Sequence, residues 1–355
     1  MIGWLQLTPE QRRIAINQAA IQSGITAKAI EKDWWVTLVL KALFELPISS
    51  HFVFKGGTCL SKGFKLIQRF SEDIDISLDP QALDQEYTVQ PSKTFVKRLK
   101  KLGCRFTTNE IQPALRQQLA SYGVGADLVT ITAKPIPEKM PDTDPQTLFV
   151  KYQSLYLANP YLADEVKVEF SIRSLHEPTE PVVISSLLWE HFSNNAYQET
   201  PFTITAAHPL KTLMEKIFLL HEKFIALGDN PEQTDPALAE RQSRHLGDII
   251  SLSRQGYGEQ LLQNPTLYQQ IVEHRRHWIS YRGLEYDTLY PASVSFLPPP
   301  SLLERYRSDY TVMRTEMIYG ESLDFDEILE EIAELNKRIA QMALQAPAKQ
   351  LPADN

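Results

Sequence analysis

Apolar positions along this chain fall into two regimes. Up to about residue 200, helical and alternating patterns are interleaved; beyond it the pattern is mainly helical. The first residues, MIGWLQLTPEQRRIAI, predict a helix entry, with Thr8 as cap and Pro9 at the first helical position. Residues 26–46, TAKAIEKDWWVTLVLKALFEL, carry a helical apolar period. Its Lys and Glu are expected to face water, and Trp34 and Trp35 to pack inward. HFVFK (51–55) predicts a short strand, Gly56-Gly57 break the pattern, TCLSKGFKLIQRF resumes a helical one, and IDISL alternates as a second strand. A basic helix is expected over about 91–102. Strands are expected in ADLVTITAK (126–134), TLFVKYQSLYL (147–157) and DEVKVEFSIR (164–173). PVVISSLL (181–188) fits a strand or a helix start.

After TITAAHP (203–209) come LKTLMEKIFLLHEKFIAL and ALAERQSRHLGDIISLSRQ, separated by the polar loop GDNPEQTDP (228–236), then further helices to about residue 344. The class read from this is α+β (mixed α/β). Residues 1–200 form a domain with a mixed sheet flanked by helices, 201–345 a mainly helical domain, and 346–355 a disordered tail, with a linker near 195–205.

Composition narrows the field. No run of 18 uncharged apolar residues exists, so no membrane-spanning helix is expected. The N-terminus carries charge where a signal peptide has its apolar run, which points to a cytoplasmic protein. Cys59 and Cys104 are too few for a disulfide framework or a zinc site, and are expected to be small buried side chains. His51, His176, His208 and His221 lack metal-ligand spacing. The net charge of −8 does not suggest a nucleic-acid-binding surface, although KTFVKRLKKLGCR (93–105) and HRRHWISYR (274–282) are basic. Each reads either as a solvated helix face or as a polynucleotide contact.

The chemistry concentrates in FKGGTCLSKGFKLIQRFSEDIDISL, residues 54–78. Asp73 and Asp75 are two apart in a strand-like run, so both carboxylates point to one face. Unneutralised, they repel by several kcal/mol at low effective dielectric. Magnesium, which prefers hard oxygen ligands, is the natural partner. Taken alone, the pair more often marks a solvent-facing acidic edge. Gly56-Gly57, between strand and helix, let backbone amides approach a phosphate, with Thr58 or Ser61 as hydroxyl donors; taken alone, they are ordinary turn geometry. Neither GxxxxGK[ST] nor GxGxxG is present. Together, turn, helix and DxD strand set triphosphate and metal carboxylates side by side, as phosphoryl or nucleotidyl transfer requires.

KGGTCLSKGF followed by RFSEDIDISL resembles the first motif of the AbiEii/AbiGii toxin family of nucleotidyltransferases, within the DNA polymerase β-like superfamily. The resemblance implies a nucleotidyltransferase fold at the N-terminus, a helical C-terminal domain, use of NTP and Mg2+, and a neighbouring antitoxin. Some members add nucleotides to tRNA 3′ ends and some relatives act as kinases. On that basis Asp73, Asp75 and Glu169 (in VKVEFSIR) are expected to hold the metal, Glu169 alternatively being half of a salt-bridge rung with Lys167. Lys55, Gly56, Gly57, Thr58, Ser61, Lys62, Arg69, Ser71 and Arg244 are expected nucleotide ligands. Lys216, in HPLKTLMEKIFLLHEK with Lys211 and Glu215 as neighbours, matches the family's key lysine and would offset triphosphate charge. RHLGDIISL (244–252) resembles the family's RDxxDL helix, with His245 where the family has Asp; Arg244 and Asp248 are spaced for an i,i+4 ion pair.

The expected activity is transfer of NMP from an NTP to an acceptor hydroxyl, with tRNA or another RNA as acceptor, by the toxin of a toxin–antitoxin or phage-defence system. A kinase of the same fold and a non-catalytic nucleotide- or partner-binding protein are the competing readings.

Overall fold

The structure is a computed structural model that describes residues 2–158, 162–192, 199–227, 241–281 and 283–343. The expected loop at 228–236, the start of the expected linker and the expected disordered tail lie outside the described residues. The chain divides into two compact units, Met1–Thr212 with Thr311–Ser322, and Leu213–Tyr310 with Leu323–Asn355.

The first unit opens with α1 (Ile2–Leu5), α2 (Pro9–Ser23) and α3 (Ala27–Phe44). The Thr8 hydroxyl accepts from the Gln11 amide at 3.2 Å and the Gln11 side chain accepts from the Thr8 amide at 2.9 Å, a reciprocal cap for α2. Strand β1 (Phe52–Lys55) runs into α4 (Gly56–Thr58), which widens over Cys59–Gly63. Then follow β2 (Ile74–Leu78), α5 (Lys93–Phe106), α6 (Gln112–Ser121), β3 (Val129–Ala133), β4 (Gln146–Tyr152), β5 (Glu165–Ser171), β6 (Thr179–Ile184), α7 (Leu187–His191) and β7 (Phe202–Ala207). The seven strands form one mixed sheet in the order β3-β4-β5-β2-β1-β7-β6, with β2 parallel to β5 and β1 parallel to β7. PVVISSLL therefore supplies both a strand end and a helix start, and TITAA forms a strand where none is predicted.

On one sheet face Phe52, Phe54, Ile74, Ile76, Val168 and Phe170 are buried. Phe52 meets Phe170 with ring centroids 5.6 Å apart and Phe44 of α3 at 6.2 Å, so α3 covers this face. Trp34 and Trp35 are buried as expected, Trp35 stacking on Tyr152 at 5.0 Å.

Two expectations fail here. Lys28, Glu31 and Lys32 of α3 are buried rather than facing water, as is Asp33 beside them. Each has a distant counter-group: Lys28 meets Asp164 at 2.7 Å, Glu31 accepts from Ser154 at 2.6 Å, Lys32 meets Glu72 at 2.5 Å and Asp33 meets Lys62 at 2.6 Å. Nor does TCLSKGFKLIQRF stay helical. The helix stops at Gly63, because Lys65 takes a left-handed φ of 58°. Residues 67–70 are instead held by a returning segment: the Phe70 amide donates to the Met317 carbonyl at 2.7 Å, and the Tyr319 amide to the Gln68 carbonyl at 3.2 Å.

The second unit is helical. It contains most of α8 (Pro209–Leu227), then α9 (Arg244–Leu252), and farther along α10 (Gly258–Leu262), α11 (Pro265–His274), α12 (Leu303–Glu316, up to Tyr310) and α13 (Phe325–Ala340). No described helix is long and apolar enough to cross a membrane.

Lys32→Ala removes the ammonium paired with the largely covered Glu72 carboxylate, and is expected to lower the unfolding free energy by about 3 kcal/mol in a urea titration. The double variant Lys32→Met/Glu72→Leu is expected to recover most of that loss.

Candidate active site

The strand register assembles the site. Lys55 of β1 lies opposite Asp75 of β2, Asp75 beside Glu169 of β5, and Glu169 opposite Thr147 of β4. Residues paired this way share a face, so Lys55, Asp75, Glu169 and Thr147 form one rung on the face away from α3. Asp73 lies one residue before the strand, and its field reaches Lys167 beside this rung. Lys167 pairs with Glu169 at 2.8 Å, the rung anticipated as the alternative for this pair. Partial burial disfavours the Lys167 ammonium. Its bond to Glu169 and the fields of Glu169, Asp73 and Asp75 outweigh that and hold its pKa above the ordinary lysine value. One cation therefore feels all three predicted carboxylates. Among the described residues no three His, Cys, Asp or Glu side chains are gathered closely enough to hold a metal as they stand.

The glycine turn abuts this rung. Gly56 has φ +81°, and a Cβ there would lie 2.1 Å from the Asp75 Oδ2. Only a residue without a side chain lets the backbone turn so close to that carboxylate. A Cβ on Gly57 would lie 2.6 Å from the Arg69 Nη2 and 2.9 Å from the Ser71 Oγ. The Thr58 hydroxyl lies 2.9 Å from the Ser71 hydroxyl and donates to the Asp73 carbonyl. Thr58 is thus a buried brace between helix and acid strand, where a phosphate donor was expected. Ser61 donates to the Thr58 carbonyl at 3.3 Å, and Lys62 is held between Asp33 and the Ser185 carbonyl at 2.8 Å, so both are committed to the protein frame. Arg69 is buried, its backbone bridged to Ile318. Burial, helped by the field of Asp75, pushes the Cys59 thiol up, leaving no thiolate for chemistry at neutral pH.

In the second unit, Lys216 meets Asp248 at 2.8 Å and lies 3.4 Å from the His245 Nδ1. Asp248 therefore pairs across to α8, and the expected Arg244–Asp248 pair does not form. Burial, then the cations Lys216 and Arg244, push His245 well below the ordinary histidine value, so its ring stays neutral. Lys223, two turns along α8 from Lys216, donates to the Gln242 side chain; burial and Arg244 lower it to about 8. Lys211, in the first turn of α8 and part of the first unit, is fully buried and donates to the Leu175 carbonyl. Of the two basic segments, 274–282 is spent in ion pairs, Arg275 with Glu222 and Arg276 with Asp287. α5 instead leaves Lys93, Lys97, Arg98 and Arg105 exposed.

The family model described as nucleotidyl transferase AbiEii toxin, type IV TA system, matches residues 38–331. The chain belongs to this family. It is a nucleotidyltransferase toxin of a type IV toxin–antitoxin system, which implies an NTP substrate and a cognate antitoxin. No curated protein matches the chain. The AbiEii span includes the glycine turn, all three carboxylates, Lys216 and Asp248.

Sequence reasoning missed the residues that hold the motif: Lys32 grips Glu72, next to Asp73, while Asp33 grips Lys62, just past the turn. Their only sequence signal is charge within a helix that is otherwise apolar all round.

Gly56→Ala forces a side chain into left-handed backbone and against Asp75. Folding free energy is expected to fall by about 1–2 kcal/mol from the backbone alone, measured by chemical denaturation. The depressed Lys223 has a different signature. Its folded pKa lies below the unfolded lysine value of about 10.4, so its contribution to stability is complete above that value and is lost as pH falls through about 8. Replacing Lys223 by Met is expected to flatten the rise in thermal midpoint between pH 8 and 10.

Proposed function

We propose that the Asp73, Asp75 and Glu169 face carries out magnesium-dependent transfer of a nucleoside monophosphate from an NTP to the hydroxyl of an RNA 3′ end, most specifically that of a tRNA. The observation that carries this reading is the rung itself: Asp75 and Glu169 in register on adjacent parallel strands, with bare glycine backbone against Asp75.

The donor set suits a hard divalent cation, because it is all carboxylate oxygen, Asp75 and Glu169 being in register on adjacent strands, and the Lys167 ammonium offsets only part of its charge. Asp73 and Asp75, with Glu169, would hold magnesium, which when bound supplies neutralisation of the charge spread over the phosphate oxygens. Lys55 and the amides of the Gly56-Gly57 turn bind the β- and γ-phosphates. The acceptor oxygen attacks the α-phosphorus, the α–β P–O bond breaks, pyrophosphate departs with the bonding pair, and the hydroxyl proton passes to the Glu169 carboxylate. Thr58 keeps Asp73 in place through its backbone carbonyl. Lys216, which matches the family's key lysine, is held by Asp248 within the second unit. Support for a polyanionic acceptor comes from α5, which contains six Lys and Arg and no acidic residue.

The test incubates the protein with total tRNA, magnesium and each NTP, labelled at the α- or the γ-phosphate. An α-label on RNA is expected, reduced at least about a hundredfold in Asp73→Ala/Asp75→Ala. A γ-label on any acceptor would show a kinase instead and end the proposal. In the same assay Lys97→Glu/Arg98→Glu is expected to raise the RNA concentration needed for half-maximal labelling several-fold while leaving the NTP requirement unchanged.

A further inference from the structure

The sheet face that carries Asp75 and Glu169 continues past the acids. Two further rungs lie beside theirs across β3, β4 and β5: Thr132–Phe149–Lys167 and Thr130–Lys151–Glu165. Past the end of β3 the Lys134 amide donates to the Thr147 carbonyl at 2.8 Å, which extends the acid rung outward to an exposed lysine. This stretch of sheet is open. Thr130, Thr132, Lys134 and Lys151 are exposed and Phe149 and Lys167 half-buried, whereas the opposite face of the same strands buries Ile131, Leu148, Val150, Val166 and Val168.

Of the outward positions 130, 132, 147, 149, 151, 165, 167, 169 and 171, only 149 is apolar. The Phe149 ring lies outside the core, and its cross-strand neighbours Thr132 and Lys167 are not rings that would pair with it. Neighbouring strands are about 4.8 Å apart and alternate residues of a strand about 6.8 Å, so Phe149 stands roughly 8 Å from Glu169. One nucleotide bridges such a gap between its base and its 3′ oxygen. Lysines surround the ring. Lys167 flanks it from β5, and Lys151, with a side chain 62% exposed, meets Glu165 only at 4.0 Å. A lone ring among lysines suits a strand that offers flat bases and phosphates together, the ring taking a base and the ammonium groups the backbone. Bases paired in a duplex have no such face to give.

We propose that the outward face of β3, β4 and β5 is the docking surface for the unpaired 3′ end of the acceptor RNA, with a base stacked on Phe149 and phosphates held by Lys134 and Lys151. The inference rests on the reading of the acid face, because the shared rung with Asp75 and Glu169 is what aims the RNA end at the site. An acidic protein segment would meet the same lysines but draw nothing from a single flat ring.

Binding is read first without turnover. A short unpaired RNA carrying a 5′ fluorophore is titrated into the full chain bearing Asp73→Ala/Asp75→Ala, and affinity is taken from anisotropy. Phe149→Ala in that background is expected to weaken binding about tenfold, as loss of one stacked base does, and Phe149→Trp to retain it. Lys134→Glu/Lys151→Glu, at exposed positions that keep the test valid if Phe149→Ala fails to fold, is expected to weaken binding about tenfold and to flatten its salt dependence. Unchanged affinity in Phe149→Ala or in the lysine variant would overturn the proposal, as would equal affinity for a blunt duplex or for a strand lacking bases. Binding of polyglutamate in place of RNA would overturn it in favour of an acidic protein partner, and dimerisation lost in Phe149→Ala in favour of a second copy. With the acids intact, Phe149→Ala is expected to raise the RNA concentration for half-maximal α-labelling about tenfold and to leave the NTP requirement unchanged. RNA bound through Phe149 without any α-label transfer would sink the reading of the acid face and leave the docking surface standing.

Discussion

The close approach of a carboxylate to bare backbone governs this molecule. Asp75 can sit in register with Glu169 and still lie against the strand–helix turn only because Gly56 has no side chain and adopts a left-handed φ. Like charges placed this close repel, and the fold answers with Lys167, whose ammonium is stabilised by Glu169, Asp73 and Asp75 together. The site thus concentrates negative charge on one rung of a sheet, offset in part by Lys167, and the surrounding contacts hold the residues on either side of that rung.

Holding it is the work of α3. Two adjacent residues of that helix reach opposite arms of the motif, Lys32 to Glu72 on the acid side and Asp33 to Lys62 on the turn side. Buried pairs of this kind contribute little net stability compared with apolar packing, yet they tolerate no partner loss. Their value lies in register: a charge that must find one counter-charge fixes the helix against the loop more narrowly than interchangeable apolar contacts do. Asp33 also accepts from the Leu187 amide at 2.7 Å, which ties α7 into the same frame.

Period and turn chemistry made the centre of the site legible. IDISL alternates with period two, so the strand and the side on which Asp75 stands followed from spacing alone, and two glycines between strand and helix announced the turn. What spacing cannot show is partnership across long separations. The charges of α3 look solvated until residues 62, 72, 154 and 164 are brought to them. Arg244 and Asp248 are spaced as partners on α9, but the acid turns to Lys216 of the neighbouring helix. The apolar period over residues 58–70 is real in composition, yet Lys65 leaves the helix and a segment about 250 positions later claims the backbone groups of residues 68 and 70. TITAA hid its strand character beside a helix start, and it becomes a strand by lying parallel to β1.

That late segment has a consequence for the order of folding. The loop carrying Arg69 and Ser71 takes its backbone partners from Met317 and Tyr319, so a nascent chain that has not yet reached those residues holds an unfinished loop. Domains generally fold in the order in which the ribosome delivers them, but here the first unit takes in Thr311–Ser322 and closes only after Leu213–Tyr310 of the second has been made. A growing chain therefore leaves the backbone groups of Gln68 and Phe70 waiting for partners that emerge only near the end of translation, so the loop behind the glycine turn takes its final form late.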